Sequence, residues 1–411
     1  MIFILLLLSL IGYLFCKKAY LTIINPVAIF WSVNILSIFL SVIQTWNFKY
    51  SLDTCIIVCV MFFSFLLGIV IGKKKFRFPK RSDGVYPSRR FLNLIIIVSI
   101  IYDIAVIFYI YKLFSTYSLI EFYLNLNEVN AYVQSDEYEI EWYHYLVPIG
   151  MPLMMMCLYY LKYYKKNWLI IIQCGACLLY CVSPRRENLF NLIIVLLFFV
   201  LSINQDSNKF RLNKKKILKI GFCIVSVLII IMSITQEALN KKINETINIE
   251  GIELPSTLTE PWLYTSLNYP HFQKQDQNIG LPQILFLSSG RVPYLFINKI
   301  FKTNIDANKE FQLDIVNIEK YTTNTMPLLF YAILDLGCFF FIDFIIIGFI
   351  SQQAYYALHS VNLFSRILGA MWFALLTLSF RSYLLIYLNY DLSILYTIII
   401  ALFIKKVKIS K

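Results

Sequence analysis

Residues 52–71 read LDTCIIVCVMFFSFLLGIVI, a run with one charged side chain and enough length to cross a hydrocarbon core of about 30 Å as a helix. A soluble core has no need of unbroken apolar runs of this length. The same reading applies to 2–16, 20–43, 91–114, 145–161, 168–182, 189–203, 217–234, 326–350, 367–388 and 392–404. Hydrophobic residues make up 59% of the 411 positions and charged residues 15%, against roughly a quarter charged in soluble domains. Lipid leaves no partner for exposed main-chain groups, so these runs are expected to be helices. The fold expected is an all-α, polytopic membrane bundle of about 11 transmembrane helices. Residues 1–236 carry the first eight, 237–325 form one large extracytoplasmic loop, and 326–411 carry the last three.

The net charge of +13 invites a nucleic-acid reading, but its distribution argues against one. Basic residues cluster at the ends of apolar runs, at 17–18, 73–90, 162–166, 205–219 and 405–411. That is the positive-inside pattern, set by membrane orientation and contact with anionic headgroups. Placing these loops and 351–366 in the cytosol puts most of the 37 Lys and Arg on one side, the N-terminus outside and the C-terminus inside. The opposite loop at 115–144 then carries Glu121, Glu128, Asp136, Glu137, Glu139 and Glu141 and no Lys or Arg. Run 2–16 has the length of a signal sequence but lacks a basic leading region, so it is expected to be a retained first helix. All nine cysteines lie in apolar runs. Cys174, Cys177 and Cys181 form a helical stripe without a nearby His or second Cys pair, the pattern of packing residues rather than a metal set.

Two features stand against this scheme. The 237–325 segment is rich in aromatics (Trp262, Tyr264, Tyr269, Phe272, Phe286, Tyr294, Phe296), a composition suited to amphipathic helices on a bilayer and to sugar-binding surfaces. The short external turn Ser183-Pro184-Arg185-Arg186 carries two arginines against the charge bias. Charges also fall inside spans, at Asp103, Asp335, Asp343 and Arg381. Each costs about 2.5–3.5 kcal/mol at membrane depth, so each is expected to be paired or functional. At 1.5 Å per residue Asp335 lies roughly 13 Å, and Arg381 roughly 10 Å, below the outer face, depths that allow either a structural ion pair between them or Arg381 joining Arg185 or Arg186 around an anionic ligand. Arginine forks match phosphate oxygens in pairs, and Arg185, Arg186, Arg291 and Arg381 together would suit a lipid-linked diphosphate. Of the three histidines, His271 lies among hydrogen-bonding residues of the external segment and is the candidate general base, with His144 and His359 read as ordinary.

These motifs, in this order, carry a resemblance. Tyr321-Thr-Thr-Asn324-Thr325-Met-Pro327 running into Leu334-Asp335-Leu-Gly337 resembles the Asn-Thr and Asp-aromatic-Gly elements of the oligosaccharide repeat-unit polymerases of bacterial surface polysaccharides (O-antigen or capsule polymerases, Wzy type). Leu336 stands where that family usually has an aromatic. Ser288-Ser-Gly290-Arg291 is similar to its Gly-Arg segment, 263–272 to its Tyr-rich external segment, and 183–186 to its Ser-x-Arg turn, with an added Pro184 and a doubled arginine. The resemblance implies a metal-independent glycosyltransferase without a cofactor, in the bacterial cytoplasmic membrane. Its substrates would be polyisoprenyl-diphosphate-linked oligosaccharides, joined on the outer face into O-antigen or capsular polysaccharide, with a chain-length regulator as a partner. His271 and Asp335 would be catalytic, the four arginines would hold the diphosphate, and Gly290, Asn324 and Gly337 would be motif positions. A flippase or transporter of the same lipid-linked units and an O-antigen ligase are the competing readings. The topology has a direct test: alkaline phosphatase fused after Pro184 is expected to be active and one fused after Ser82 silent, and the reverse result would invert the scheme.

Overall fold

The computed structural model describes residues 1–20, 24–43, 49–75, 88–118, 121, 128–129, 141–164, 167–181, 187–204, 248–249, 252–253, 256–275, 285–286, 288–289, 291–303, 316–318, 321–323 and 325–405. Six helical stretches among them are long and apolar enough to cross a membrane: Ile2–Ala19, Pro26–Ile43, Leu52–Lys73, Arg89–Thr116, Trp142–Tyr163 and Leu328–Leu358. Four shorter apolar helices follow the sequence expectation as well, at Trp168–Cys181, Asn188–Ile203, Leu363–Leu378 and Leu388–Phe403. The expected span at 217–234 lies outside the described residues. The chain is an α-helical membrane protein, with two small antiparallel hairpins in the segment before Leu328. These pair β1 (Asn248–Ile249) with β2 (Ile252–Glu253) and β3 (Val316–Ile318) with β4 (Tyr321–Thr323).

The residues fall into two compact units. The first comprises Met1–Phe78, Ile243–Tyr356 and Trp372–Leu388. It contains α1 (Ile2–Ala19), α2 (Pro26–Ile43) and α3 (Leu52–Lys75). Asn25 starts α2 by accepting the Ala28 amide at 2.8 Å, and Pro26 fills the first helical position, where no amide is needed. The helix therefore begins later than the apolar run from residue 20 suggested. Phe30 stacks on Phe65 with centroids 4.1 Å apart, and Trp31 packs on Phe62 at 4.6 Å while its indole donates to the Leu8 carbonyl at 2.8 Å.

Glycines bring α3 against a later helix, α13 (Phe340–Leu358). A Cβ on Gly68 would collide with the main chain of Ile345, one on Gly348 with that of Phe65, and one on Gly72 would stand 2.9 Å from Gln352 Cβ. The two backbones touch directly, the close approach small residues permit between membrane helices.

The span expected to run unbroken over 326–350 is in fact two helices. α12 (Leu328–Leu336) ends at Gly337, whose φ of 56° lies in the left-handed region, and a 3-10 turn at Gly337–Phe339 leads into α13. The span expected over 367–388 also breaks. α14 (Leu363–Leu378) stops where Ser379-Phe380-Arg381-Ser382 interrupts the apolar run, and a 3-10 turn at Leu384–Ile386 precedes α15 (Leu388–Lys405). Arg381 therefore sits in an irregular stretch, not within a helix.

The second unit comprises Pro79–Lys242, Ala357–Met371 and Asn389–Lys411. It contains α4 (Arg89–Thr116), α5 (Trp142–Leu146), α6 (Gly150–Tyr163), α7 (Trp168–Ala176) and α8 (Glu187–Asn204). Tyr102 donates to the carbonyls of Ala176 and Cys177, each at 3.3 Å, and Asp103 accepts the Gln173 amide at 2.9 Å. A hydrogen bond thus answers the charge expected at mid-span. Ser393 reaches the Pro148 carbonyl at 2.9 Å and Tyr396 that of Tyr145 at 2.8 Å, fastening α15 to the start of α6.

Gly68→Val is expected to cost about 1–3 kcal/mol by forcing α3 from α13. Thermal unfolding of the purified protein in detergent reads the loss. Gly175→Ala, whose added methyl meets nothing within 4 Å, is the control and should leave the midpoint unmoved.

Candidate functional site

The site grows from the polar interruptions of α2, at Asn34, Ser37 and Ser41, all buried. Two short helices of the aromatic segment, α9 (Ser256–Ser266) and α10 (Asn268–Lys274), lie on this face. Ser37 donates to the Thr265 carbonyl at 2.5 Å, and Tyr269 donates to Asn34 Oδ1 at 2.8 Å. Asn34 Nδ2 donates to the Phe30 carbonyl at 2.8 Å and to Ser379 Oγ at 2.9 Å. Ser379 in turn accepts the Leu328 amide on its carbonyl at 2.7 Å. One asparagine thereby links α2, the aromatic segment, the break after α14 and the first residue of α12. Burial holds the phenol of Tyr269 above its ordinary range, so it acts here as a neutral donor.

His271 belongs to the same assembly. It is fully buried, and its Nδ1 lies 2.9 Å from the Thr325 carbonyl oxygen, a contact that places the proton on Nδ1. Thr325 Oγ1 donates to Asn268 Oδ1 at 2.6 Å, and Asn268 Nδ2 donates to the Tyr264 carbonyl at 2.6 Å. Gln273 joins the start of α3, accepting the Ser51 amide at 2.9 Å and donating to the Lys49 carbonyl at 3.0 Å. The segment at 263–272 is therefore packed into the first unit rather than strung outside it as a spacer.

Asp335 has no exposed surface. One carboxylate oxygen accepts the Ser288 amide and the other the Ser289 amide, the latter at 3.0 Å. The Asp335 carbonyl accepts the Phe286 amide at 3.0 Å, and Ser288 Oγ donates to the Tyr331 carbonyl at 3.3 Å. With both oxygens engaged by main-chain donors, Asp335 positions the turn ahead of Arg291. The ion pair with Arg381 that depth allows does not form. The Arg381 guanidinium stands over the Tyr264 ring, 4.5 Å from its centroid, in a cation–π contact. Asp343 is buried, and its Oδ2 has no hydrogen-bond partner among the described residues.

Of the remaining expected site residues, Arg185, Arg186, Gly290 and Asn324 lie outside the described residues. Arg291 is the first residue of α11 (Arg291–Phe301); its side chain lies outside them too. The structure brings Tyr264, Arg381, His271, Thr325, Asp335, Ser288 and Ser289 into one unit. Sequence reasoning missed Asn34, Asn268 and Ser379. For Asn34 a signal existed: an asparagine inside an apolar span carries the same cost argument as a charge.

Comparison of the chain with family models, with curated proteins and with solved structures gives no match.

Replacing Asp335 by Ala removes two hydrogen bonds to a carboxylate, each worth about 1.5–3 kcal/mol. Amide exchange at Ser288 and Ser289 is then expected to accelerate by at least about ten-fold, read by hydrogen-exchange mass spectrometry. Unchanged exchange would mean that the turn is held by something else.

Proposed function

We propose that the protein is a membrane glycosyltransferase that polymerises polyisoprenyl-diphosphate-linked oligosaccharide units into a surface polysaccharide on the outer face of the bacterial cytoplasmic membrane. The observation that carries the reading is the meeting of motif segments far apart in sequence. His271 and Asn268 hold Thr325, so the Tyr-rich segment meets the Asn-Thr element. Asp335 holds Ser288 and Ser289, so the Asp-Leu-Gly element meets the Gly-Arg segment. Arg381 stands over Tyr264 beside the first of these contacts. Resemblance alone does not require such convergence.

Orientation belongs to the same proposal, and the first unit supports it. Lys73 Nζ donates to the Ala19 carbonyl at 2.9 Å, Tyr20 to Gln352, and Gln353 to the Gly72 carbonyl at 3.3 Å. Loops that the charge rule assigns to the cytosol thus share one end. Ser51, Gln273 and Thr325, assigned outside, belong to the contacts at the other.

In the reaction, an acceptor hydroxyl attacks the anomeric carbon of the donor sugar as that carbon's bond to the diphosphate oxygen breaks. The diphosphate leaves with its charge, and guanidinium groups stabilise it in a low-dielectric surround. With Nδ1 donating to the Thr325 carbonyl, Nε2 is the ring nitrogen assigned to receive the acceptor proton. Asp335 acts through the turn it holds. The two helix breaks favour a second reading, because transporters bind ligands at discontinuous helices.

Single alanine variants of Arg185, Arg186, Arg291 and Arg381 in the native strain test the assignment through the polysaccharide ladder. Loss of one transition-state donor is worth about 10²–10³ in rate, so Arg381→Ala should leave mostly single repeat units. Long chains from all four variants at equal expression would overturn the reading. A deletion strain separates the alternatives: single capped units mark a polymerase, polymer left on the carrier a ligase, and lipid-linked units trapped on the cytosolic face a flippase.

A further inference from the structure

Leu285 and Phe286 are 57% and 40% exposed, and Ile300 and Phe301 at the end of α11 are 69% and 70% exposed. At 100° per residue, Pro293, Ile297, Ile300 and Phe301 share an arc of roughly 100° on α11. Three of these four residues are exposed. A helix on the surface of a soluble domain would turn this side inward. Residues 291–303, RVPYLFINKIFKT, hold three basic residues and no acidic one.

The element also has a depth. Phe286, Ser288 and Ser289 bond to Asp335, seven residues into α12, about 10 Å along the axis from its first turn. α11 packs against the 3-10 turn at Leu384–Ile386, which follows Arg381. Phe286 has a φ of 55°, a region bulky side chains avoid. Water would give no return for exposing an aromatic ring from such a backbone; hydrocarbon would.

We propose that 285–286 and α11 lie within one membrane leaflet, their exposed apolar side chains among the acyl chains and Lys302, just past the helix end, at anionic headgroups. The element is then a wedge in the leaflet beside both helix breaks. The inference rests on the membrane character of the chain and not on the polymerase reading.

The full-length protein tests it, reconstituted in vesicles of phosphatidylethanolamine and phosphatidylglycerol with a trace of phospholipid bearing a diazirine on one acyl chain. After irradiation, carbene adducts on 285–286 and 300–301 are expected within about three-fold of those on Ile96, Ile97, Ile100 and Ile104 of α4, which are lipid-facing by composition and exposure. In a parallel sample, oxidation of Phe286 and Phe301 by hydroxyl radicals from water should be at least about ten-fold below that of the unfolded chain. Acetylation of exposed Lys302 by a water-soluble ester should drop by about three-fold or more relative to vesicles of phosphatidylcholine alone. Radical oxidation at the unfolded level without carbene adducts puts the element in water and overturns the proposal. So does radical protection without adducts when a chemical cross-linker joins α11 to a second copy of the chain. Equal acetylation of Lys302 in both vesicles overturns the headgroup contact.

Discussion

Within hydrocarbon each main-chain amide and carbonyl must find a partner inside the protein, because leaving one unmet costs several kcal/mol. A continuous helix meets that demand by itself; a broken one does not. The first unit breaks its helices at Gly337 and after Leu378, and Asn34, Tyr269 and Ser379 form a buried polar network at the second of these breaks. The Ser379 carbonyl serves the first amide of α12, and Ser379 Oγ closes back on the Leu376 carbonyl at 2.8 Å while receiving Asn34. The breaks and the network are therefore one feature.

Asp335 illustrates how magnitudes decide a residue's role. Burying a carboxylate costs several kcal/mol, and two hydrogen bonds from amides return about 3–6 kcal/mol, so the balance is close. It holds only while both oxygens are engaged. Asparagine offers one oxygen and would turn an NH₂ donor toward the second amide, which explains why a carboxylate rather than its neutral relative occupies this place. The same arithmetic leaves Asp343 as the less settled of the two acids, since one of its oxygens has no partner among the described residues.

The amino-acid pattern made the membrane spans legible because hydrophobicity over a stretch as long as 52–71 has one physical explanation. The breaks were not legible in the same way. A single glycine such as Gly337 barely changes the hydropathy of its run, and the conformation it adopts depends on what packs around it. Ser379 to Ser382 did leave a trace, a short polar interval in an apolar run, but counting residues from Leu388 assumed a helix that does not continue. The ion pair allowed between Asp335 and Arg381 failed for a related reason: rise per residue gives depth along an axis, and depth says nothing about which way a side chain faces. The general placement of His271 among hydrogen-bonding groups was readable from its neighbours Asn268 and Tyr269; its complete burial was not, because that depends on α2 and Thr325.

The failed pairing has a consequence for the chemistry. Had Arg381 met Asp335 in a salt bridge, the two charges would have cancelled and an arriving anion would have found a neutral pair. Instead, main-chain dipoles answer Asp335, and the guanidinium rests on the face of Tyr264. An aromatic face steadies a cation without neutralising it, since the ring contributes a quadrupole and no net charge. Asp335 and Arg381 are thus each held by a different kind of contact, the one by main-chain amides and the other by an aromatic face. For the polymerase we propose, a phosphate on a lipid chain would suit this region better than a soluble sugar phosphate, because the lipid-linked form would meet its apolar and its cationic parts together.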